Sequence, residues 1–160
     1  MIRYKLTIEY DGTKYVGWQR QKNGPSIQEE IEKAISNLTG KFSEVVGAGR
    51  TDSGVHALGQ VAHFDTDKDF KIDTIRDGLN KYLYPQPIAI LKAYKMKNNF
   101  HARFSAKQRY YLYKIVNRRS YLTLEKNKVW IIHKQLNFSL MNQAARYFLG
   151  QHNLNAFRSI

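Results

Sequence analysis

The residues best suited to chemistry lie in one glycine-rich segment, residues 47–57, which reads Gly-Ala-Gly-Arg-Thr-Asp-Ser-Gly-Val-His-Ala. Its glycines permit tight turns and a close approach of the backbone to a ligand. Arg50 and Asp52 are near neighbours there, and an arginine beside a carboxylate favours the ionised form and can also hold a phosphate. Because an ionised aspartate can act as a nucleophile or a base without a metal, these two residues are candidates for catalysis.

The same segment also fits an ordinary turn. Asp-Ser-Gly is a frequent turn sequence, in which the Asp52 side chain can bond its own backbone. Gly47 and Gly49 do not complete the GxGxxG fingerprint, and the lysine of a P-loop is missing. On composition and spacing alone the turn is favoured over catalysis, and the residues do not name a reaction.

The composition excludes several other kinds of site. The chain has 160 residues and no cysteine, which rules out disulfide scaffolds, thiolate metal sites and cysteine nucleophiles. His56 and His63 have no close acidic residues that would complete a ligand set, so we expect no metal site. No apolar run approaches the roughly 20 residues of a membrane span, and the first residues do not read as a secretory signal. We therefore expect a cytoplasmic protein without a membrane partner.

Charge gives the first indication of a partner. Lysine and arginine total 26 against 13 acidic residues, a formal net charge of +13. Residues 78–124 contain no aspartate or glutamate, and basic and aromatic residues are interleaved there. Cations neutralise phosphates and release counterions, and aromatic faces stack on exposed bases. We interpret this stretch as binding nucleic acid, although most of its tyrosines are expected in the core.

The elements that must position these residues follow from hydrophobic periodicity. Ser26 and Glu29 form a capping box before an apolar stripe with helical spacing, which Gly40 ends. Asp73 is the expected N-cap of a second helix, and Pro85 prevents its extension. Strands are predicted from alternation or short apolar runs at residues 2–10, 45–46, 60–64 and 88–94.

The resulting order, β-α-β-β-α-β, is that of the split βαβ, ferredoxin-like unit. We therefore predict an α+β fold in which the helices cover one face of an antiparallel sheet and leave the other free for RNA. Residues 1–104 form this half in our prediction. The pattern restarts over residues 105–160 as the incomplete beginning of a second similar half. Its predicted elements are strands at 110–117 and 129–133 and a helix at 140–149.

Several motifs, in the same order along the chain, resemble those of the tRNA pseudouridine synthase A family, which modifies the anticodon arm of tRNA. The longest is Gly-Arg-Thr-Asp-Ser-Gly-Val-His-Ala at residues 49–57, followed by Gly-Gln-Val-Ala-His-Phe at residues 59–64. The remaining motifs lie at residues 10–12, 17–19, 26–28, 100–106, 109–113, 141–145 and 149–152. The resemblance therefore covers the whole chain.

The resemblance implies an isomerisation of uridine to pseudouridine in the anticodon stem-loop, without a cofactor. It implies that Asp52 acts as nucleophile or base, that Arg50 assists it, and that Tyr111 stacks on the base. Tyr110 is adjacent, and strand alternation would place only one of these two tyrosines on a given face. The expected partners are tRNA and a second copy of the chain in a homodimer. The predicted RNA-binding residues are Arg20, His56, His101, Arg103, Lys107 and Arg109.

The resemblance also implies further elements beyond Ile160, as in a chain truncated at its C-terminus. The family motif that contains Gln-Val-Arg has no counterpart, and Asn153-Leu154 stands where the family usually has Asp-Phe. Three functions follow from these observations: an enzyme or its catalytic half, a catalytically weak or inactive RNA-binding fragment, and a structural or regulatory fragment that pairs with a full-length partner.

Binding of tRNA through residues 78–124 should weaken steeply with salt. If six or more phosphates are neutralised, the affinity falls by roughly 10³-fold or more between about 50 and 200 mM salt, because the released counterions must be recondensed. Fluorescence anisotropy with labelled tRNA over a salt series measures this slope. A flat salt response would contradict the assignment of the basic stretch to RNA.

Overall fold

A four-stranded antiparallel sheet organises the first part of the chain. The structure is a computed structural model that describes residues 1–157. The strands are β1 (Ile2–Tyr10), β2 (Val46–Gly47), β3 (Ala57–Thr66) and β4 (Ile88–Met96), and they lie in the order β2-β3-β1-β4. The helices are α1 (Ile27–Thr39), between β1 and β2, and α2 (Ile72–Leu83), between β3 and β4. This is the predicted α+β, ferredoxin-like unit with its antiparallel sheet.

Helix α1 begins and ends as its sequence predicts. The Ser26 hydroxyl accepts a hydrogen bond from the Glu29 amide at 3.3 Å, which satisfies one of the amides that have no partner within the helix. Gly40 has a φ of 80°, and its amide donates to the Ser36 carbonyl at 2.8 Å. A glycine adopts this left-handed conformation without a steric penalty.

Helix α2 corrects one prediction, because its N-cap is Lys71 and not Asp73. The Lys71 carbonyl accepts the first helical hydrogen bond, from the Ile75 amide at 3.1 Å. Asp73 lies inside the first turn, where a carboxylate complements the helix dipole, and it pairs with Arg76 at 3.2 Å. The helix ends at Leu83, and Tyr84 is extended, as expected for a residue that precedes a proline.

The core lies between the two helices and one face of the sheet. Alternation along β1 directs Tyr4, Leu6, Ile8 and Tyr10 into it. The helices contribute their apolar stripes, with fully buried side chains that include Ile27, Ile31, Ile35, Ile75 and Leu79. The amphipathic pattern of each helix therefore determines which face it turns to the sheet.

The opposite face of the sheet is partly covered, which corrects the expectation that it would be left free. Arg3 donates to the carbonyls of Asn98 and Phe100 at 2.8 and 2.6 Å. The Ala102 amide donates to Nδ1 of His63 at 3.1 Å. The chain that follows β4 therefore folds back over β1 and β3, because polar groups on that face satisfy its backbone.

Two pKa shifts accompany this covering segment. The hydrogen bond from Arg3 to Asp65, at 2.8 Å, lowers the pKa of the Asp65 carboxyl. Burial lowers the pKa of His63, electrostatic interactions with Arg3 and His101 lower it further, and Asp65 opposes them. His63 is therefore a neutral imidazole whose Nδ1 accepts a hydrogen bond.

The chain divides into two compact units, Met1–Tyr111 and Leu112–Ile160. The predicted first half, residues 1–104, lies within the first unit, and its role as the catalytic half stays a prediction. The predicted second half extends to residue 160, and its last three residues lie outside the described residues.

The second unit contains a short sheet and one helix. Strands β5 (Ile115–Asn117) and β6 (Trp130–Ile132) pair in parallel, and α3 (Phe138–Arg146) follows them. The strand predicted at 110–117 is thus confined to its last three residues. The Asn137 side chain caps α3 by accepting from the Leu140 amide at 3.0 Å.

No residue between 112 and 157 is buried, so the apolar side chains of α3 are exposed. Its Phe138, Leu140 and Met141 side chains have no core beneath them in this unit. Among the described residues, none of the helices combines the length and the apolar character required to span a bilayer.

The first unit should lose stability as the pH falls through the pKa of His63. Since folding lowers this pKa below its usual value of 6.5, His63 contributes stability above pH 6.5, and that contribution is lost on acidification. Protonated Nδ1 can no longer accept from Ala102. His63→Asn keeps an acceptor near that position and does not titrate, so its stability should change less between about pH 7 and 5.

Urea unfolding followed by the fluorescence of buried Trp18, in a Trp130→Phe background, measures this difference. Asp65 titrates in a lower range, because its pKa is depressed, and it does not interfere between about pH 7 and 5. His152→Asn, at an exposed histidine, is the matched control. Equal pH dependence in His63→Asn and the original chain would contradict the prediction.

Candidate active site

The glycine-rich segment forms the connection between β2 and β3, and it is held at its first residues. The Ala48 amide donates to the Val61 carbonyl at 2.7 Å, and the Gln60 side chain donates to the Gly49 carbonyl at 2.6 Å. The Trp18 ring lies against Gly47, where an added Cβ would come within 2.7 Å of the ring. The entry into residues 48–56, which we call the Asp52 loop, is therefore fixed by the sheet and by one buried indole.

The Asp52 loop packs directly on the backbone of residues 12–17. A Cβ at Gly12 would lie 2.0 Å from the Val55 carbonyl oxygen, and one at Gly17 would lie 2.5 Å from the Thr51 carbonyl oxygen. Gly17 also has a φ of 116°, a conformation that residues other than glycine rarely adopt. Two glycines from a separate part of the sequence are thus required for the two backbones to approach.

Hydrogen bonds hold the middle of the loop. The Trp18 amide donates to the Thr51 carbonyl at 2.9 Å, and the Tyr10 hydroxyl contacts the Thr51 hydroxyl at 2.8 Å. The Tyr15 carbonyl accepts from the Ser53 hydroxyl at 3.2 Å. Burial raises the pKa of Tyr10, while its hydrogen bond to Thr51 opposes the shift, so this phenol stays neutral. Thr51 and Ser53 are therefore anchored to the first loop of the chain.

The residues between these anchors face solvent. Arg50 and Asp52 are both exposed, and among the described residues neither side chain makes an ion pair or a hydrogen bond. The turn expected here is present, but the main chain closes it, since the Val55 amide donates to the Asp52 carbonyl at 3.2 Å. The turn and the chemical interpretation are thus compatible, because the turn does not use the carboxylate of Asp52.

Arg109 adds a cation to the start of the loop. Its Nη2 donates to the Ala48 carbonyl at 2.9 Å, and its Nε lies 3.6 Å from the position of a Cβ on Gly49. The arrangement therefore combines an exposed carboxylate on a fixed backbone with a guanidinium beside the same backbone. Such a site can attack or deprotonate a bound molecule and can hold an anionic group beside it.

Most of the first unit is similar to one enzyme family. A family model described as tRNA pseudouridine synthase matches residues 6–105, which include the Asp52 loop and the segment that covers His63. The chain belongs to the tRNA pseudouridine synthase family. The match ends before Arg109 and Tyr111, so it does not bear on the roles of these two residues.

Individual family members are similar over nearly the entire chain. The tRNA pseudouridine synthase A of Methylocella silvestris is 54% identical over 158 residues, which are 99% of this chain and 64% of that protein. The enzymes of the same name from Maricaulis maris and Parvibaculum lavamentivorans are 51% and 49% identical, over 99% and 100% of this chain. The chain spans 64% to 65% of the length of these relatives.

Two of the predicted RNA-binding residues, Arg20 and His56, contact carboxylates of the protein. Nη1 of Arg20 lies 3.2 Å from the Glu32 carboxylate, and its guanidinium lies 5.6 Å from the centre of the Phe42 ring. Nδ1 of His56 lies 3.1 Å from the Asp11 carboxylate and 3.3 Å from the Gly12 amide. These two groups compete, because a protonated Nδ1 donates to Asp11 and an unprotonated one accepts from Gly12.

The other predicted residues differ in exposure. His101 is partly buried, and its Nδ1 accepts from the Arg103 amide at 3.2 Å within a tight turn. Arg103, Lys107 and Tyr111 are exposed, and the Arg103 guanidinium lies 5.8 Å from the centre of the Phe104 ring. Their contacts with RNA, and the role of Tyr111, stay predictions.

Sequence analysis missed two polar residues that support the site. Gln28 and Glu32 lie one helical turn apart on α1. They bond to Val45, just before β2, and to Arg20, two residues after Trp18. Their spacing at the edge of the apolar stripe was the available signal, since a glutamate next to buried Ile31 and Ile35 must find partners. Trp18 is a packing residue with 3% of its surface exposed.

Replacing Gly12 by alanine should displace the Asp52 loop and destabilise the first unit by roughly 1 to 3 kcal/mol, because the new methyl group would overlap the Val55 carbonyl. Gly59→Ala is the matched control, since its Cβ would lie 3.7 Å from the Thr7 methyl group, an ordinary contact. Urea unfolding and proton exchange of the loop amides measure both effects. Unchanged stability and unchanged exchange in Gly12→Ala would refute the close packing.

Proposed function

We propose that this chain carries the catalytic site of an enzyme that isomerises uridine to pseudouridine in the anticodon stem-loop of tRNA, with Asp52 as its nucleophile or base. The family membership supports the reaction class. The names of the similar proteins support tRNA as the substrate. The anticodon stem-loop comes from the resemblance of the motifs.

The observation that carries the proposal is the contrast between the backbone and the carboxylate of Asp52. Its neighbours Thr51 and Ser53 are bonded to the first loop of the chain, while its side chain is exposed and has no partner among the described residues. The carboxylate of a structural aspartate in a turn normally accepts a hydrogen bond from the backbone. A carboxylate held in place and left available is suited to react with a bound substrate.

The proposed reaction begins with extrusion of the target nucleotide, because a base stacked in the stem cannot reach the loop. Asp52 then attacks the sugar or removes a sugar proton, and both routes remain part of the proposal. The base detaches, rotates and rebonds through carbon, which exchanges a C–H proton for an N–H proton. The product is an isomer of the substrate, so the proposal requires no redox cofactor.

The remaining residues of the site have supporting roles in this proposal. Arg50, two residues before Asp52, pairs with that carboxylate or with a phosphate of the bound RNA. Tyr111 stacks on the extruded base, and its hydroxyl can transfer a proton. In this proposal the phosphates of the RNA are bound by the cations of Arg20, Arg103, Lys107 and Arg109. His56 and His101 contact the same RNA strand.

The proposal extends to the assembly. A homodimer with tRNA across both copies is expected from the motif resemblance, and a location in the cytoplasm is expected of a tRNA-modifying enzyme. The exposed apolar residues of α3 offer a surface for such an association. No membrane partner and no small-molecule cofactor enter the proposal.

A second candidate is an RNA-binding protein without catalysis. It is favoured by the exposed aromatic and basic side chains that follow β4. Those with the largest exposed fractions include Phe104, Tyr110, Tyr111, Tyr113 and Tyr121. Base stacking and phosphate contacts by such residues give affinity without chemistry. This candidate differs from the first in having no need for Asp52.

Replacing Asp52 by asparagine should abolish pseudouridine formation, by a factor of at least about 10², and leave the affinity for tRNA nearly unchanged. The amide keeps the size of the side chain and removes its basicity and nucleophilicity. Incubation with unmodified tRNA, followed by mapping of pseudouridine by mass spectrometry, measures the activity, and fluorescence anisotropy measures the binding.

Asp73→Asn, at an exposed aspartate of α2, controls for the loss of one negative charge. Retained activity in Asp52→Asn would exclude Asp52 as the catalyst. If the original chain binds tRNA but forms no pseudouridine, the same two variants are compared in a chain extended to the length of the relatives. An inactive extended chain would favour the RNA-binding candidate.

A further inference from the structure

Glu32 is a buried carboxylic acid to which the proposed reaction gives no role. It lies on α1, and 2% of its surface is exposed. Charged side chains are rarely buried to this degree unless they are paired, because removal from water disfavours them strongly. Its contacts therefore identify what the protein gains from placing a carboxylate there.

One carboxylate oxygen holds the chain just before β2. Oε1 of Glu32 accepts from the Val45 amide at 3.1 Å and from the Gln28 side-chain amide at 3.1 Å. The same Gln28 nitrogen lies 3.1 Å from the Val45 carbonyl oxygen. Both main-chain polar groups of Val45 are thus satisfied by α1, one residue before the strand that enters the Asp52 loop.

The other carboxylate oxygen faces Arg20. Oε2 of Glu32 lies 3.2 Å from Nη1 of Arg20 and has no hydrogen-bond partner within the described part of the chain. The contact is an ion pair without the angles of a hydrogen bond, so the attraction between the charges holds it. About half of the Arg20 side chain, 51%, is exposed, so this pair joins a buried acid to a cation at the surface.

Two further contacts restrict Arg20. Its amide donates to Oε1 of Gln28 at 3.0 Å, and its guanidinium lies 5.6 Å from the centre of the exposed Phe42 ring. A guanidinium has five N–H groups in a fixed plane, and the pair with Glu32 engages one of its nitrogens. The remaining donors keep a defined direction and can bind a phosphate without first losing rotational freedom.

The position of Arg20 links this cluster to the Asp52 loop. Arg20 lies two residues after Trp18, whose amide donates to the Thr51 carbonyl and whose ring packs on Gly47. Glu32 therefore contacts both segments that support the loop, one through Val45 and the other through Arg20.

We propose that Glu32 is a positioning residue that orients Arg20 to bind a phosphate of the RNA strand entering the site beside the Asp52 loop. The inference rests on the proposed function, in that the ligand is tRNA. It adds a residue that does not touch the substrate and acts through the cation it holds.

The sign of one substitution separates this role from a plain effect of charge. Glu32→Gln keeps the acceptor for the Val45 amide and removes a negative charge near a basic surface. Long-range electrostatics alone would make binding of a polyanion tighter. Positioning predicts the opposite, a loss of roughly threefold to tenfold in affinity, because Arg20 loses the partner that orients it.

The experiment measures binding of unmodified tRNA to the chain by fluorescence anisotropy over a salt series, and the variants are compared at the same salt concentrations. Glu44→Gln, at an exposed glutamate one residue before Val45, makes the same change in charge and should not weaken binding. Arg20→Ala should weaken binding roughly tenfold and lower the salt dependence by about one phosphate contact. Adding Glu32→Gln to Arg20→Ala should then cost nothing more, since the residue through which Glu32 acts is gone.

Arg20→Lys keeps the charge and loses the planar fork, and it should weaken binding about as much as Glu32→Gln. If Glu32→Gln fails to fold, Arg20→Lys tests whether the orientation of the guanidinium matters for binding. This variant is expected to fold, because about half of the Arg20 side chain is exposed. Unchanged or tighter binding in either variant, or equal losses from Glu32→Gln with and without Arg20, would overturn the inference alone. A chain that does not bind tRNA at all would overturn the proposed function as well. Binding without pseudouridine formation would count against the proposed reaction only.

Discussion

The close contact of two backbones is the constraint on which the site depends. Residues 12–17 and 51–55 approach so nearly that Gly12 and Gly17 leave no space for a side chain. A loop that carries a reactive carboxylate gains from this arrangement, because a fixed backbone costs less entropy when a substrate is bound. The loop also connects two strands of the sheet, β2 and β3. Helix α1 supports it as well, because the Gln28 and Glu32 side chains bond to the backbone of Val45.

Much of the first unit could be predicted from local sequence. Alternation in β1 and the helical stripes of α1 and α2 report which side chains are buried, and burial decides which face of each element packs inward. The capping box at Ser26 and the left-handed Gly40 are local signals too, so the ends of α1 were predictable. Asp73 misled because an acidic residue is favourable both at an N-cap and inside the first turn.

The rest depends on contacts between residues distant in sequence. Nothing near Arg3 or His63 indicates that residues 98–102 will fold over them, since the partners are carbonyl and amide groups common to every residue. The turn at Asp52 was predictable, but whether its carboxylate would be used by the turn was not. In the second unit, apolar periodicity predicted the helix, but it did not show that none of the residues of α3 is buried.

The backbone character of this contact affects how the protein tolerates mutation. Many of the groups that hold the Asp52 loop are main-chain amides and carbonyls, which every amino acid supplies. Truncating neighbouring side chains would therefore leave much of the support intact, and a conventional alanine scan would underestimate how much the segment matters. The sensitive positions are the glycines, where any substitution adds a side chain. The sequence around this loop can therefore change in evolution as long as Gly12 and Gly17 remain glycine.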